Sequence, residues 1–184
     1  MTTYFMSDPH FGHKNILGFS RPQFKSLEEH NDYLIKQINK TVDYDDTLYI
    51  LGDIAFSSEY HYLAAIKCFN LRIVLGNHDY PTKLTTIQSF VPNAKIGGVL
   101  EHTFKGKTFK GKRMTAVLTH IPVHPSQLYS KTNTYYRYAM NIHGHLHQFT
   151  IDEPGYINVS MEQLDDFKPV SEQEILKKFF TQNS

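Results

Sequence analysis

Four short apolar runs in this chain each stop at a cluster of potential metal ligands. Tyr4-Phe5-Met6 leads to Asp8-Pro9-His10, and Leu48-Tyr49-Ile50-Leu51 to Gly52-Asp53. Ile73-Val74-Leu75 leads to Gly76-Asn77-His78-Asp79, and Ala116-Val117-Leu118 to Thr119-His120. A further cluster, His143-Gly144-His145-Leu146-His147, follows, with Asp152 behind it. Apolar runs of this length, bounded by turn-forming residues, read as buried strands. Such strands deliver Asp, Asp, Asn and His one after another at their ends, which is how a sheet builds a two-metal hydrolytic site.

The 184 residues favour one domain, 1–184, and the hydrophobic fraction of 40% supplies a core without staples. A net charge of +1 gives no global electrostatic case for nucleic acid or membrane surfaces. The lone cysteine, Cys68, excludes an intrachain disulfide and reads as a small buried hydrophobe. The chain enters strand-like sequence by Tyr4 without a basic leader, so no signal peptide is expected. No apolar run approaches the ~20 residues of a membrane span. A cytoplasmic protein is the expectation. The 11 histidines are the anomalous count, because several cluster beside Asp, Asn and Gly.

Periodicity predicts strands over Thr3–Met6, Thr47–Leu51 and Leu71–Leu75. A helix begins near Ser26, where Glu29 follows three residues later, and continues through Leu34, Ile35, Ile38 and Val42. Ser58–Phe69 carries Tyr62, Leu63, Ile66 and Phe69 at helical spacing, and Pro81–Phe90 reads as a short helix opened by proline. This βαβαβ start predicts parallel pairing with helices on the sheet faces. In the second half, Val99–Phe104 and Arg113–Leu118 flank two expected turns, Lys105-Gly106-Lys107 and Lys110-Gly111-Lys112. Tyr138–Ile142 and Tyr156–Met161 read as strands, and Glu172–Phe180 as a last helix. The irregular, tyrosine-rich stretch Pro122–Arg137 is a candidate lid or insertion.

Phosphate-ester hydrolysis needs a nucleophile near neutral pH and relief of charge on the phosphoryl oxygens. Two divalent ions roughly 3.5–4 Å apart provide both. Mixed nitrogen and oxygen ligands suit manganese, iron, zinc or nickel better than magnesium or calcium. The ordered set Asp8-x-His10, Gly52-Asp53, Gly76-Asn77-His78-Asp79, His120 and Gly144-His145-x-His147 resembles the calcineurin-like metallophosphoesterase superfamily. Ser7–Ile16 further resembles a compact bacterial and phage branch of predicted phosphoesterases, so the resemblance implies the cytoplasm of a bacterial or phage-infected cell as the expected setting.

The resemblance implies an α/β four-layer α/β/β/α sandwich, with two mixed sheets flanked by helices. It implies a dinuclear site, with manganese the leading ion. One metal would take Asp8, His10, Asp53 and His147; the other would take the bridging Asp53 with Asn77, His120 and His145. A metal-bridging hydroxide would attack phosphorus in line, with no covalent enzyme intermediate. His78 would stabilise the transition state or protonate the leaving oxygen, and Asp79 would orient and charge its imidazole.

The expected partner is a small phosphate ester, with a phosphodiester or nucleotide-type substrate favoured. The rivals are a phosphomonoesterase or protein phosphatase, a nuclease acting on nucleic acid, and an inactive metal-binding scaffold. No membrane partner is expected. Arg21 and Arg137 are candidates to grip a non-scissile phosphate. His13 either approaches the pocket or does not, and His124 either contacts substrate or caps its loop. His143 reads as structural, and His30, His61 and His102 as solvated. The lysine-rich stretch Lys105–Arg113 reads as a solvated hairpin, with a phosphate-contact strip the alternative.

Overall fold

The computed structural model describes residues 1–56, 59–130 and 132–183. Four parallel strands form most of the first sheet: β1 (Thr3–Met6), β2 (Thr47–Leu51), β3 (Asn70–Val74) and β4 (Lys95–Gly97). β9 (Val170–Ser171) adds antiparallel to β1, giving the order β4-β3-β2-β1-β9. The second sheet runs β5-β6-β7-β8, from β5 (Leu100–Phe109), β6 (Lys112–Leu118), β7 (Met140–His143) and β8 (Tyr156–Asn158). β5 and β6 are antiparallel, while β6, β7 and β8 are parallel. Two mixed sheets with flanking helices, the expected α/β architecture, is what forms.

Parallel strands are buried on both faces, which is why they read as continuous apolar runs rather than alternating ones. Phe5, Met6, Leu48, Ile50, Leu51, Ile73 and Val74 are all fully buried. The two sheets meet through aromatic contacts. Phe5 stacks on Tyr49 at 5.2 Å, and His102 of β5 meets both rings edge-on, at 5.4 and 5.7 Å. His102 is therefore largely buried, with Nε2 2.8 Å from Glu172, and not solvated as its sequence context suggested.

α1 is a single turn, Ile16–Phe19. α2 (Leu27–Thr41) starts where predicted, with Ser26 Oγ accepting the Glu29 N–H at 3.0 Å. α3 (Leu84–Phe90) follows a 3₁₀ turn over Pro81–Lys83. α4 (Glu172–Gln182) carries a full capping box between Ser171 and Glu174, touches β1, β8 and β9, and buries Ile175, Leu176 and Phe179. None of these helices is long and apolar enough to cross a membrane.

The structure corrects several expected elements. Ser58 lies outside the described residues, and Glu59–Ala65 is 3₁₀ rather than α-helical. Tyr60 and Leu63, its buried residues, are three apart, the repeat of a 3₁₀ turn. Phe69 leaves that face and lies half exposed against Tyr44. Lys105-Gly106-Lys107 is no turn. It lies within β5 at a register shift that Gly106 absorbs with φ +67°. Only Lys110-Gly111, both at positive φ, closes the hairpin, as a two-residue loop requires. Within Pro122–Arg137, Lys131 is outside the described residues. Tyr129 and Tyr136 pack on Phe109 at the hairpin tip, so this part forms no lid over the strand ends.

Ser171→Ala removes one half of the capping box. Equilibrium urea unfolding is expected to show a loss of about 1 kcal/mol with an unchanged slope.

Candidate metal centre

The parallel register puts the carboxyl ends of β1, β2 and β3 at one edge, since Met6 pairs with Ile50 and Leu51 with Val74. β6 and β7 end together as well, Leu118 beside Ile142. The two edges are stitched by Ser7, whose N–H donates to Val159 O and whose carbonyl accepts from Met161 N. Asp8 N–H donates to Gly52 O and His10 N–H to Asp53 O, each at 3.1 Å, so the first two ligand loops are mutually hydrogen-bonded.

Asp8, His10, Asp53, His145 and His147 all hold left-handed backbone, with φ between +50° and +70°. Asp and His tolerate this region better than most residues, and strain of this kind gathers at functional sites. Glycines let the loops close. A Cβ at Gly52, itself at φ +90°, would sit 2.7 Å from both Gly76 and the His120 ring. A Cβ at Gly144 would overlap Ser7 Oγ and Asp8 Oδ2.

Asp53 is the hub. Its Oδ2 lies 3.3 Å from His120 Nε2 and 3.8 Å from both His10 Nε2 and His78 Nε2, while Oδ1 accepts the His78 backbone N–H at 2.9 Å. Asp8 Oδ1 lies 3.7 Å from His10 Nε2 and 4.0 Å from His147 Nε2, and Oδ2 accepts the His145 backbone N–H. Two sets, Asp8 with His10 and His147, and Asp8 with Asp53 and His120, each bring their ligand atoms within 4.8 Å of one another. Asn77 Oδ1 lies 2.9 Å from His120 Nε2, and the His145 ring lies 5.1 Å from that of His120.

Burial raises the pKa of Asp8 and Asp53, but the surrounding histidines outweigh it and hold both carboxyls below their ordinary range. Burial lowers His120 and His147, yet carboxylate neighbours carry both above the usual imidazole value. Both nitrogens of His120 face acceptors: Nδ1–H donates to Leu51 O at 2.8 Å, and Nε2 faces Asp53 and Asn77. Asp8 Oδ1 and both nitrogens of His10 are buried and have no hydrogen-bond partner among the described residues. Orphaned buried lone pairs beside carboxylates fit a divalent ion.

The remaining candidates divide. His13 sits at the rim, stacked on Phe56 at 4.0 Å and 5.3 Å from the His10 ring, its pKa lowered to about 4 by burial and by neighbouring His10. His78 is half exposed against Phe56. Among the described residues, Asp79 makes no hydrogen bond to the His78 ring. It turns beneath the loop and accepts from Gly76 N, Ile54 N and Tyr60 Oη, because a buried carboxylate takes the donors closest to it. Arg21 faces inward, fully buried and bound to Glu162, Asp8 O and Pro9 O, so it is not open to substrate. Arg137 is exposed but pairs with Glu101 at 2.6 Å. His124 caps the turn at Pro125–Gln127. His143 is buried, with Nδ1–H donating to Gly144 O. Asp152 is exposed. Glu162, which accepts from His147 Nδ1, was missed by sequence reasoning, because nothing beside it in the chain marks it as a partner of residues 15 and 141 positions away.

His30, expected to be solvated, is fully buried. Arg21 can only donate, so His30 Nε2 accepts at 2.8 Å and Nδ1–H donates to Asn31 Oδ1. Burial and the Arg21 charge lower its pKa to about 4 from 6.5. Between those values the unfolded chain takes up a proton that the folded chain refuses. Stability is therefore present above pH 6.5 and lost as pH falls to about 4. His30→Gln is expected to flatten that part of the stability profile by about 3 kcal/mol, measured by denaturation across the window.

A family model for the calcineurin-like phosphoesterase superfamily domain matches residues 1–160. An uncharacterized protein of Methanocaldococcus jannaschii is 31% identical over 185 residues, covering 95% of this chain and 89% of the relative. The gene 66 protein of Mycobacterium phage L5 is 29% identical over 161 residues, covering 79% and 77%. Among solved structures, a protein of unknown function from Aquifex aeolicus shares the fold with TM-score 0.69 at 24% identity, covering 96% of this chain and 98% of its own. A novel archaeal phosphodiesterase shares it with TM-score 0.51 at 16% identity, covering 87% and 82%. With a family model running from residue 1 to residue 160 and this likeness of sequence along nearly its whole length, the chain belongs to the calcineurin-like phosphoesterase superfamily.

Proposed function

We propose that this chain is a metal-dependent phosphodiesterase, acting on a small diester or nucleotide-type substrate and holding two divalent transition-metal ions, manganese foremost. The carrying observation is the cluster of buried carboxylate and imidazole atoms around Asp8 and Asp53, several of them without a protein partner. Asp8, His10, Asp53 and His147 would hold one ion, and Asp53, Asn77, His120 and His145 the other. Bound there, such ions supply charge neutralisation at phosphorus and acidify water enough to make it nucleophilic near neutral pH.

The chain's own residues account for the rest. Asp53 reaches both halves of the site, with Oδ2 close to His10 and His120 alike. The His120 Nδ1–H bond to Leu51 leaves Nε2 directed at Asp53 and Asn77. Half exposed and 3.8 Å from Asp53 Oδ2, His78 Nε2 is the group assigned to give a proton to the leaving oxygen. Asp79 acts on it indirectly, by pinning Gly76 and Ile54 around the loop that carries it.

Two observations favour a diester over a monoester. The two arginines that a dianionic monoester would recruit are both committed to carboxylates, Arg21 to Glu162 and Arg137 to Glu101. Beside the cluster, His78, Phe56, His13 and the half-exposed Phe19 form a run of rings that suits a nucleobase or aryl group.

Asp53→Asn is expected to lose metal and nearly all activity, checked by metal analysis and turnover on the same sample. His78→Ala is expected to keep metal and lose about 10²–10⁴-fold in rate. Metal loss in His78→Ala would instead make His78 a ligand. Chelator-stripped protein given manganese is expected to cleave a bis-aryl phosphodiester faster than an aryl monophosphate. The reverse preference identifies a monoesterase, and salt-sensitive cleavage of single strands a nuclease. Bound metal with no turnover of any of these substrates leaves a narrow-specificity enzyme or a scaffold.

A further inference from the structure

Arg21 heads the fully buried side chains of the described residues by size, yet no step assigned above uses it. Its donors are spent on two groups of acceptors. Nε and Nη2 both reach Glu162 Oε1 at 3.0 Å. Nη1 donates to Pro9 O at 2.9 Å and to His30 Nε2 at 2.8 Å, and Nη2 donates to Asp8 O at 2.5 Å. The same Glu162 Oε1 accepts the Nδ1–H of His147 at 3.0 Å. Glu162 Oε2 is buried with no partner among the described residues, so the known bonds of this carboxylate run through one oxygen.

These contacts join parts that the chain delivers separately. Asp8 and His10 leave the first sheet after β1, both at positive φ. His147 follows β7 of the second sheet, and Glu162 follows β8. The planar fork of an arginine can hold two backbone carbonyls and a carboxylate together, which a lysine's single ammonium cannot do in the same geometry.

We propose that Arg21 and Glu162 form a buried clamp that positions Asp8, His10 and His147 for a divalent cation. Glu162 holds His147 in its Nδ1–H form, which leaves the Nε2 lone pair 4.0 Å from Asp8 Oδ1 and close to His10, whose ring stacks on that of His147 at 5.1 Å. A carboxylate on the far nitrogen of an imidazole also raises its strength as a ligand. Arg21 holds Glu162 inward through Nε and Nη2, and fixes the carbonyls around the strained Asp8-Pro9-His10 backbone. Both are positioning residues, and neither touches substrate. The proposal rests on the reading above that Asp8, His10 and His147 bind a cation, but its first readout needs neither metal nor turnover.

The test uses the full chain stripped by chelator, with two measurements. One is the His147 ring tautomer by ¹⁵N NMR at alkaline pH, where the ring is neutral. The other is Mn(II) affinity by titration calorimetry or electron paramagnetic resonance. Wild type is expected to show the Nδ1–H form. Glu162→Ala is expected to shift His147 toward Nε2–H and to weaken Mn(II) binding about 10–100-fold. Glu162→Gln keeps an oxygen acceptor without the charge. It is expected to retain the tautomer while still losing about tenfold in affinity. Arg21→Lys, which keeps the charge but not the fork, is expected to fail to restore wild-type affinity. Lys36→Ala, on the exposed face of α2, is the unchanged control.

An unaltered tautomer and unaltered Mn(II) affinity in folded Glu162→Ala overturns the clamp. If that variant does not fold, wild-type affinity in Glu162→Gln overturns it equally. A wild-type chain that binds no Mn(II) overturns the cation reading itself, whereas a tautomer shift in Glu162→Ala still supports the positioning of His147.

Discussion

Asp8 and Asp53 sit almost out of reach of water, and the rest of the molecule is arranged around making that tolerable. An unpaired buried carboxylate is among the most expensive things a fold can contain. Here each is compensated by groups from several strand ends. Asp8 meets His10, His147 and the His145 N–H; Asp53 meets His10, His120 and the His78 N–H. The compensators come from both sheets, so closing the sheets on one another and stabilising the charges are a single event. The same closeness of opposite charge, with lone pairs left over, suits the cluster to a cation.

That closeness demands unusual backbone. Five of the seven candidate ligands hold left-handed conformations, and Gly52, Gly76 and Gly144 stand where any Cβ would collide with a neighbouring loop. The strain is held in place by buried bonds on the protein side of the site. Asp79 ties Gly76 and Ile54 together from beneath, and the Ser7 bridge joins the β1 loop to the end of β8. Candidate ligands carried at strand ends and braced in this way have their geometry set by the fold.

The candidate ligands were legible because their signal is local. An apolar run predicts a strand, a Gly/Asp/Asn/His cluster marks its end, and the β1 and β2 bounds agree with the structure residue for residue. The Ser26 cap and the parallel β1-β2-β3 order were legible for the same reason. Failures came where a side chain's role depends on a distant partner. Arg21 looked like a phosphate grip and is sealed inside. Asp79 looked like a partner for the adjacent imidazole and instead turns to backbone N–H groups and Tyr60. His30 and His102 looked solvated and are packed against Arg21 and Glu172.

By itself, the order of apolar runs and polar clusters determined which residues would stand at strand ends and what chemistry they carry, because residue type and strand periodicity are properties of a few neighbouring positions. Tertiary structure alone decided which of them share a cation-sized space, which face inward, and which histidines and arginines are spent on bracing. Those outcomes depend on contacts between distant positions, such as the 141 that separate Arg21 from Glu162, and on desolvation, which exists only once both sheets have closed.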